Sequence, residues 1–87
     1  MKNKAILGAL AMDLKRAALG FYRGSDIMAN RFFEEALKRK DEIDAADVAP
    51  YISKWLESLS KIKNEEKQQA AEDALLYSTI FQNASQV

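Results

Sequence analysis

The 87-residue chain contains no histidine and no cysteine. Without histidine it lacks the side chain that most often acts as a general base near neutral pH, and it lacks the commonest nitrogen ligand for metals. Without cysteine it can form neither a disulfide nor a thiolate zinc site. We therefore expect a non-enzymatic protein with no cofactor and no metal site. The lack of cysteine also fits a reducing compartment, and we expect a cytoplasmic protein.

Glycine and proline are scarce, with three glycines and one proline, so helices are interrupted at few positions. No apolar run approaches the roughly 20 residues of a membrane span. The basic start and the apolar stretch 5–12 are similar to a signal peptide, but Asp13 ends that stretch and the helical spacing continues beyond it. We therefore predict an ordinary first helix and no transmembrane segment.

Charge is balanced over the whole chain but not along it. The chain has 13 basic and 13 acidic residues. Residues 1–40 hold nine basic and four acidic side chains, a net charge of +5, whereas residues 41–87 hold four basic and nine acidic ones, a net charge of −5. Such a division constrains how the halves of a chain pack and which partners they attract. It predicts electrostatic complementarity between the two halves, either within one chain or between two copies.

Apolar residues recur three and four residues apart, as they do on one face of a helix. The pattern predicts four helices over about 3–22, 26–40, 47–62 and 65–83. Short connectors force such helices to turn back on one another. The predicted fold is all-α, a single helical domain over residues 1–87 that forms an antiparallel, up-down-up-down four-helix bundle. A smaller helical core that is completed by dimerisation is the alternative, because cores of this size are marginal.

Polar residues at the predicted helix starts indicate where each helix is capped. Ser25 or Asp26 can accept hydrogen bonds from the first free amides of the second helix. Asp44 and Asp47 can both cap the segment that follows them, with Pro50 in the first turn of the third helix, where the missing amide proton matters little. Asn64 is the predicted cap of the fourth helix.

One face of the first helix is predicted to lie in the core. The central positions of that face are Leu7, Leu10, Leu14, Ala17 and Phe21. A wider apolar stripe is typical of a helix that packs on a globular core. We expect the stripe to be widened by Ile6, Met12, Ala18 and Leu19.

Carboxylates are the remaining candidates for chemistry. Glu34 and Glu35 stand four residues before Lys38 and Arg39, the spacing of exposed ion pairs within a helix. The acidic pair at 72–73 lies in an apolar segment, and the sequence leaves open whether either carboxylate is buried. We expect these groups to stabilise and solvate the fold rather than to catalyse.

The fourth helix carries more apolar surface than a single neighbouring core needs, which indicates a second contact surface. Tyr51 and Trp55 lie one turn apart and can add the aromatic contacts favoured at protein interfaces. We predict a non-enzymatic helical protein–protein interaction module that self-associates, most simply as a homodimer. Ile80→Asp or Phe81→Asp is then predicted to weaken the dimer without loss of helicity. The candidate contact residues are Tyr51, Trp55, Leu76, Tyr77, Ile80 and Phe81.

The alternative hypothesis is a small helical protein associated with nucleic acid. The basic N-terminal half supports it, because clustered lysines and arginines bind phosphates. Its candidate residues are Lys15, Arg16 and Arg23, which can share one side of the first helix. The zero net charge and the lack of interleaved aromatic and basic residues weigh against this hypothesis.

Overall fold

The chain folds into four α-helices joined by turns and short 3-10 segments. The computed structural model describes residues 2–86, apart from the Lys2 side chain, so Met1 and Val87 of the predicted domain lie outside the described residues. No β-strand occurs within residues 2–86, and the all-α prediction is confirmed. The helices are α1 (Lys2–Arg23), α2 (Asp26–Glu42), α3 (Pro50–Ser58) and α4 (Lys67–Ser85), with 3-10 segments at Ala45–Asp47 and Leu59–Asn64.

Helix α1 is the centre of the bundle. It packs along both α2 and α4, while the 3-10 segment Leu59–Asn64 contacts both of those flanking helices. At 1.5 Å per residue, the 22 residues of α1 extend about 33 Å, which accounts for the 35 Å long axis of the molecule. The predicted up-down helical bundle is confirmed.

The turn between α1 and α2 is built by glycine. Gly24 directly follows the last residue of α1 and has φ +72°, the left-handed conformation that glycine adopts without strain and that ends the helix. The Ser25 amide then donates to the Gly20 carbonyl at 2.9 Å and the Gly24 amide donates to the Phe21 carbonyl at 3.2 Å, which together form a Schellman motif. The Ser25 hydroxyl accepts from the Met28 amide at 3.3 Å, so Ser25 is the cap of α2.

The prediction of one continuous third helix over 47–62 is wrong at its start. Proline disfavours a helical conformation in the residue before it, and Ala49 is extended with ψ 145°. Helix α3 therefore begins at Pro50. Of the two predicted caps, Asp44 is confirmed, because its side chain accepts a hydrogen bond from the Ala46 amide at 3.0 Å at the start of the 3-10 segment. The prediction for Asp47 is wrong, because Ala49 occupies the cap position of α3.

The same prediction is wrong beyond Ser58, where the chain tightens into a 3-10 segment. Three residues per turn place Leu59 and Ile62 on the same side, and both side chains are buried in the core. Asn64 ends this segment, so it does not cap the fourth helix. Glu66 occupies the cap position of α4 without a side-chain hydrogen bond.

Three long-range hydrogen bonds fix the start and the middle of α1. Ser78 on α4 donates its hydroxyl proton to the Ala11 carbonyl at 2.8 Å, a buried contact between the two helices. Near the start of α1, the Asn3 amide group donates to the Asp44 carbonyl and accepts from the Asp44 amide, at 3.2 and 3.3 Å. These bonds satisfy buried polar atoms and set the position of α1 against its neighbours.

Candidate interaction surface

The predicted contact residues of α3 and α4 do not form one exposed patch. Phe81 is 0% exposed, so the prediction that it belongs to a contact surface is wrong. It is the innermost member of an aromatic ladder in which Tyr77 meets Trp55 at 4.9 Å and Phe81 at 6.2 Å between ring centroids, both edge to face. Trp55, Tyr77 and Ile80 are partly buried against the core. The ladder joins α3 to α4 instead of facing solvent as a whole.

The two most exposed members of the predicted set lie apart. Tyr51 borders a hollow of about 200 Å³ that it shares with Lys4 and Val48 at one end of the bundle. Leu76 is half exposed on α4 and, five residues before Phe81, points about 140° away from it around the helix. Sequence spacing grouped these residues, but the fold separates them.

A different apolar surface is exposed along α1 and α4. Met12 and Leu19 lie seven residues apart on the same side of α1 and are 45% and 39% exposed, and Leu75 of α4 is 42% exposed. Exposed Glu72 is one turn before Leu75, and exposed Lys15 is one turn after Met12. We call these five residues the α1–α4 face. A groove of about 370 Å³ crosses it, lined by Met12, Lys15, Leu75, Ser78, Thr79, Gln82 and Asn83.

The exposure of Met12 and Leu19 corrects the prediction that they widen the core face of α1. With about 100° of rotation per residue, Met12 lies about 200° from Leu10 around the helix and Leu19 about 180° from it. Leu10 is fully buried, so the other two side chains point away from the core. The position of each residue around the helix predicts this exposure, whereas the number of apolar residues in the segment does not.

The basic residues of the nucleic-acid hypothesis are all exposed on α1. All three lie on the exposed side of α1, where Arg16 and Arg23 flank Met12 on one side and Lys15 flanks it on the other, at the groove of the α1–α4 face. Arg16 also lies 3.7 Å from an Asp13 oxygen, with its guanidinium 5.6 Å from the Phe32 ring centroid. Its charge is therefore partly used within the chain.

A buried carboxylate on α1 holds α2 in place, which the sequence did not indicate. Arg39 Nε lies 3.6 Å from Asp13 Oδ2, an ion pair longer than a hydrogen bond, while Glu35 pairs with Lys38 at 3.4 Å. The expected pairing of Glu35 with Arg39 is thus replaced by a contact between helices. Burial raises the pKa of Asp13, and the charges of Arg39 and Arg16 offset only part of that effect.

The acidic residues just before α4 and in its second turn differ in their surroundings. Glu72 is exposed and Asp73 is partly buried, where it accepts a hydrogen bond from the Gln69 amide at 3.0 Å. Glu65 Oε1 is enclosed and accepts no hydrogen bond from the described residues. Burial, followed by the neighbouring Asp73 carboxylate, raises the pKa of Glu65. Burial likewise raises the pKa of Tyr77, and the negative charges of Asp73 and Glu65 raise it further.

We predict that Glu65→Gln stabilises the protein at neutral pH. A raised pKa means that the fold favours the protonated carboxyl, so the stability contributed by Glu65 is present below pH 4.5 and is lost as pH rises through the raised pKa. Glutamine keeps the shape without the charge. We expect a melting temperature a few degrees higher at pH 7, with the difference closing near pH 4. Glu66→Gln, on the exposed neighbour, is the matched control and should change little.

Within residues 2–86, no three carboxylates lie together as a metal site would require. None of the helices in that range is long and apolar enough to cross a membrane. The structure thus defines the class of protein as a small all-α up-down bundle with an exposed apolar face. Comparisons with protein-family models, curated proteins and solved structures find no match to this chain.

Proposed function

We propose that the chain is a non-enzymatic helical interaction module that self-associates through the α1–α4 face. The observation that carries the proposal is that Met12 and Leu75 line one groove between adjacent helices and that Leu19 lies two turns along α1 on the same side as Met12. All three large apolar side chains are substantially exposed. Contiguous exposed apolar surface on a small protein marks a contact site more often than an isolated apolar residue does.

A second copy of the chain is the simplest partner for this face. Twofold symmetry covers each contributing side chain twice, once from each copy, with one kind of contact. We expect the dimer to form at micromolar concentration.

We predict that Leu75→Asp weakens self-association at least tenfold, because it places a charge in the centre of the apolar contact. Since Leu75 faces solvent in the single chain, helicity measured by circular dichroism should be retained. Sedimentation equilibrium gives the dissociation constant. Ile27→Asp is the matched control, because Ile27 of α2 is 86% exposed and lies outside the α1–α4 face. If Leu75→Asp and Ile27→Asp both self-associate with the dissociation constant of the parent chain, the proposed surface is refuted.

A further inference from the structure

The charges of the α1–α4 face are segregated by helix. The exposed side of α1 carries Lys15, Arg16 and Arg23, all basic. On α4, the charged member of the face is Glu72, which lies one turn from Leu75. The contacts of Ala11 with Ser78 and of Gly8 with Ser85 show that α1 and α4 run antiparallel. Lys15 is four residues after Ala11 and Glu72 is six residues before Ser78, so the two lie within about 3 Å of the same height along the bundle.

Two twofold arrangements allow this face to contact a second copy of itself. A twofold axis parallel to the helices brings α1 of one chain onto α4 of the other. An axis in the contact plane but perpendicular to the helices brings α1 onto α1 and α4 onto α4. Both arrangements cover the same apolar side chains, so burial alone does not choose between them.

Charge does choose between them. In the perpendicular arrangement, the basic side of α1 faces its own copy, and like charges placed together oppose association. In the parallel arrangement, Lys15 of each chain faces Glu72 of the second copy, and the pair occurs twice by symmetry. Arg16 is partly neutralised by Asp13 at 3.7 Å, which leaves Lys15 and Arg23 as the stronger basic charges on this side of α1.

Resting on the proposed function, we infer that the partner of the α1–α4 face is a second copy of this chain, related by a twofold axis parallel to the helices, with α1 seated on α4 of the other chain. Lys15 and Glu72 are the residues that set this orientation. The pairing has the same sense as the charge division along the sequence, because Lys15 belongs to the basic half and Glu72 to the acidic half.

Charge reversal of the full chain tests the arrangement by sedimentation equilibrium at low ionic strength. Lys15→Glu and Glu72→Lys should each raise the dissociation constant roughly fivefold to tenfold, because two symmetry-related attractions become repulsions. The double variant should return to within about threefold of the parent, since both pairs are re-formed with reversed sign. Lys54→Glu and Glu57→Lys on α3 are matched controls for the change in net charge and should leave association unchanged.

The outcomes separate the arrangement from the function on which it rests. If the single reversals leave the dissociation constant unchanged while Leu75→Asp still weakens the dimer, the parallel arrangement is overturned and the α1–α4 face stands. If the double variant stays as weak as the single ones, the pairing of Lys15 with Glu72 is likewise overturned. If the parent chain is a monomer throughout, the proposed function fails together with this inference.

Discussion

Phe81→Ala is expected to lower the free energy of unfolding by about 3–5 kcal/mol, the range for removing a large aromatic side chain from a packed core. Phe81 is 0% exposed and its ring packs against Tyr77, which in turn contacts Trp55. A chain of this length has a total stability of roughly 4–13 kcal/mol, so the loss is a large fraction of it. Urea denaturation followed by circular dichroism measures the change.

The same burial reverses the expected behaviour of Phe81→Asp. The sequence predicted a weaker dimer with full helicity, but an unpaired carboxylate at this buried position is expected to unfold the chain. Leu76→Ala on α4 is the matched control for Phe81→Ala, because Leu76 is half exposed and its truncation should cost little stability. A Phe81→Asp protein that keeps the helicity and melting temperature of the parent would contradict the placement of Phe81 in the core.

Gly20→Ala is expected to destabilise the protein by about 2 kcal/mol, although alanine is the better helix former. A Cβ at Gly20 would lie 2.6 Å from the Ala29 nitrogen and 2.8 Å from its Cα, so α1 and α2 would have to move apart. The atoms in the way belong to the backbone and cannot rotate aside, so we expect the upper end of the typical overpacking cost of about 1–3 kcal/mol. Subtracting the helical preference for alanine, about 1 kcal/mol, leaves a net loss of about 2 kcal/mol. Thermal or urea unfolding gives the difference.

Gly8→Ala, in the same helix, is expected to change the free energy of unfolding in the opposite direction. A Cβ at Gly8 would meet Ser85 Cβ and Oγ at 3.9 Å, an ordinary contact distance, so only the helical preference changes. We expect Gly8→Ala to stabilise the chain by about 0.5–1 kcal/mol. Finding both substitutions neutral, or both stabilising, would contradict the close crossing of α1 and α2 at Gly20.

Helix positions were largely predictable because they depend on the spacing of apolar residues and on the glycine and proline residues that interrupt helices. The predicted second helix starts at Asp26 as the structure has it, since Gly24 and Ser25 form a turn whose chemistry is visible in the sequence. The third helix was not predictable in extent. Local spacing permits a continuous helix over 47–62, but Pro50 and the packing of Leu59 and Ile62 divide that segment.

The candidate surface was less predictable than the fold, because apolar residues on a short helix can face the core or the solvent. Met12 and Leu19 were assigned to the core by their composition, whereas their angle to Leu10 places them outside. Phe81 was assigned to the surface because the fourth helix has apolar residues all round. It lies within about 40° of Ala70 and Ala74 around the helix, on the stripe that is buried in the core. The buried pair of Asp13 and Arg39 joins residues 26 positions apart, a contact that helical periodicity does not encode.

The central claim, that the α1–α4 face is a self-association surface, is tested most directly by the mass of the parent chain in solution. Sedimentation equilibrium from nanomolar to high micromolar concentration should show a reversible change from the chain mass of 9.8 kDa to twice that mass, with Leu75→Asp shifting the change to higher concentration. A mass of 9.8 kDa at every concentration would contradict the account.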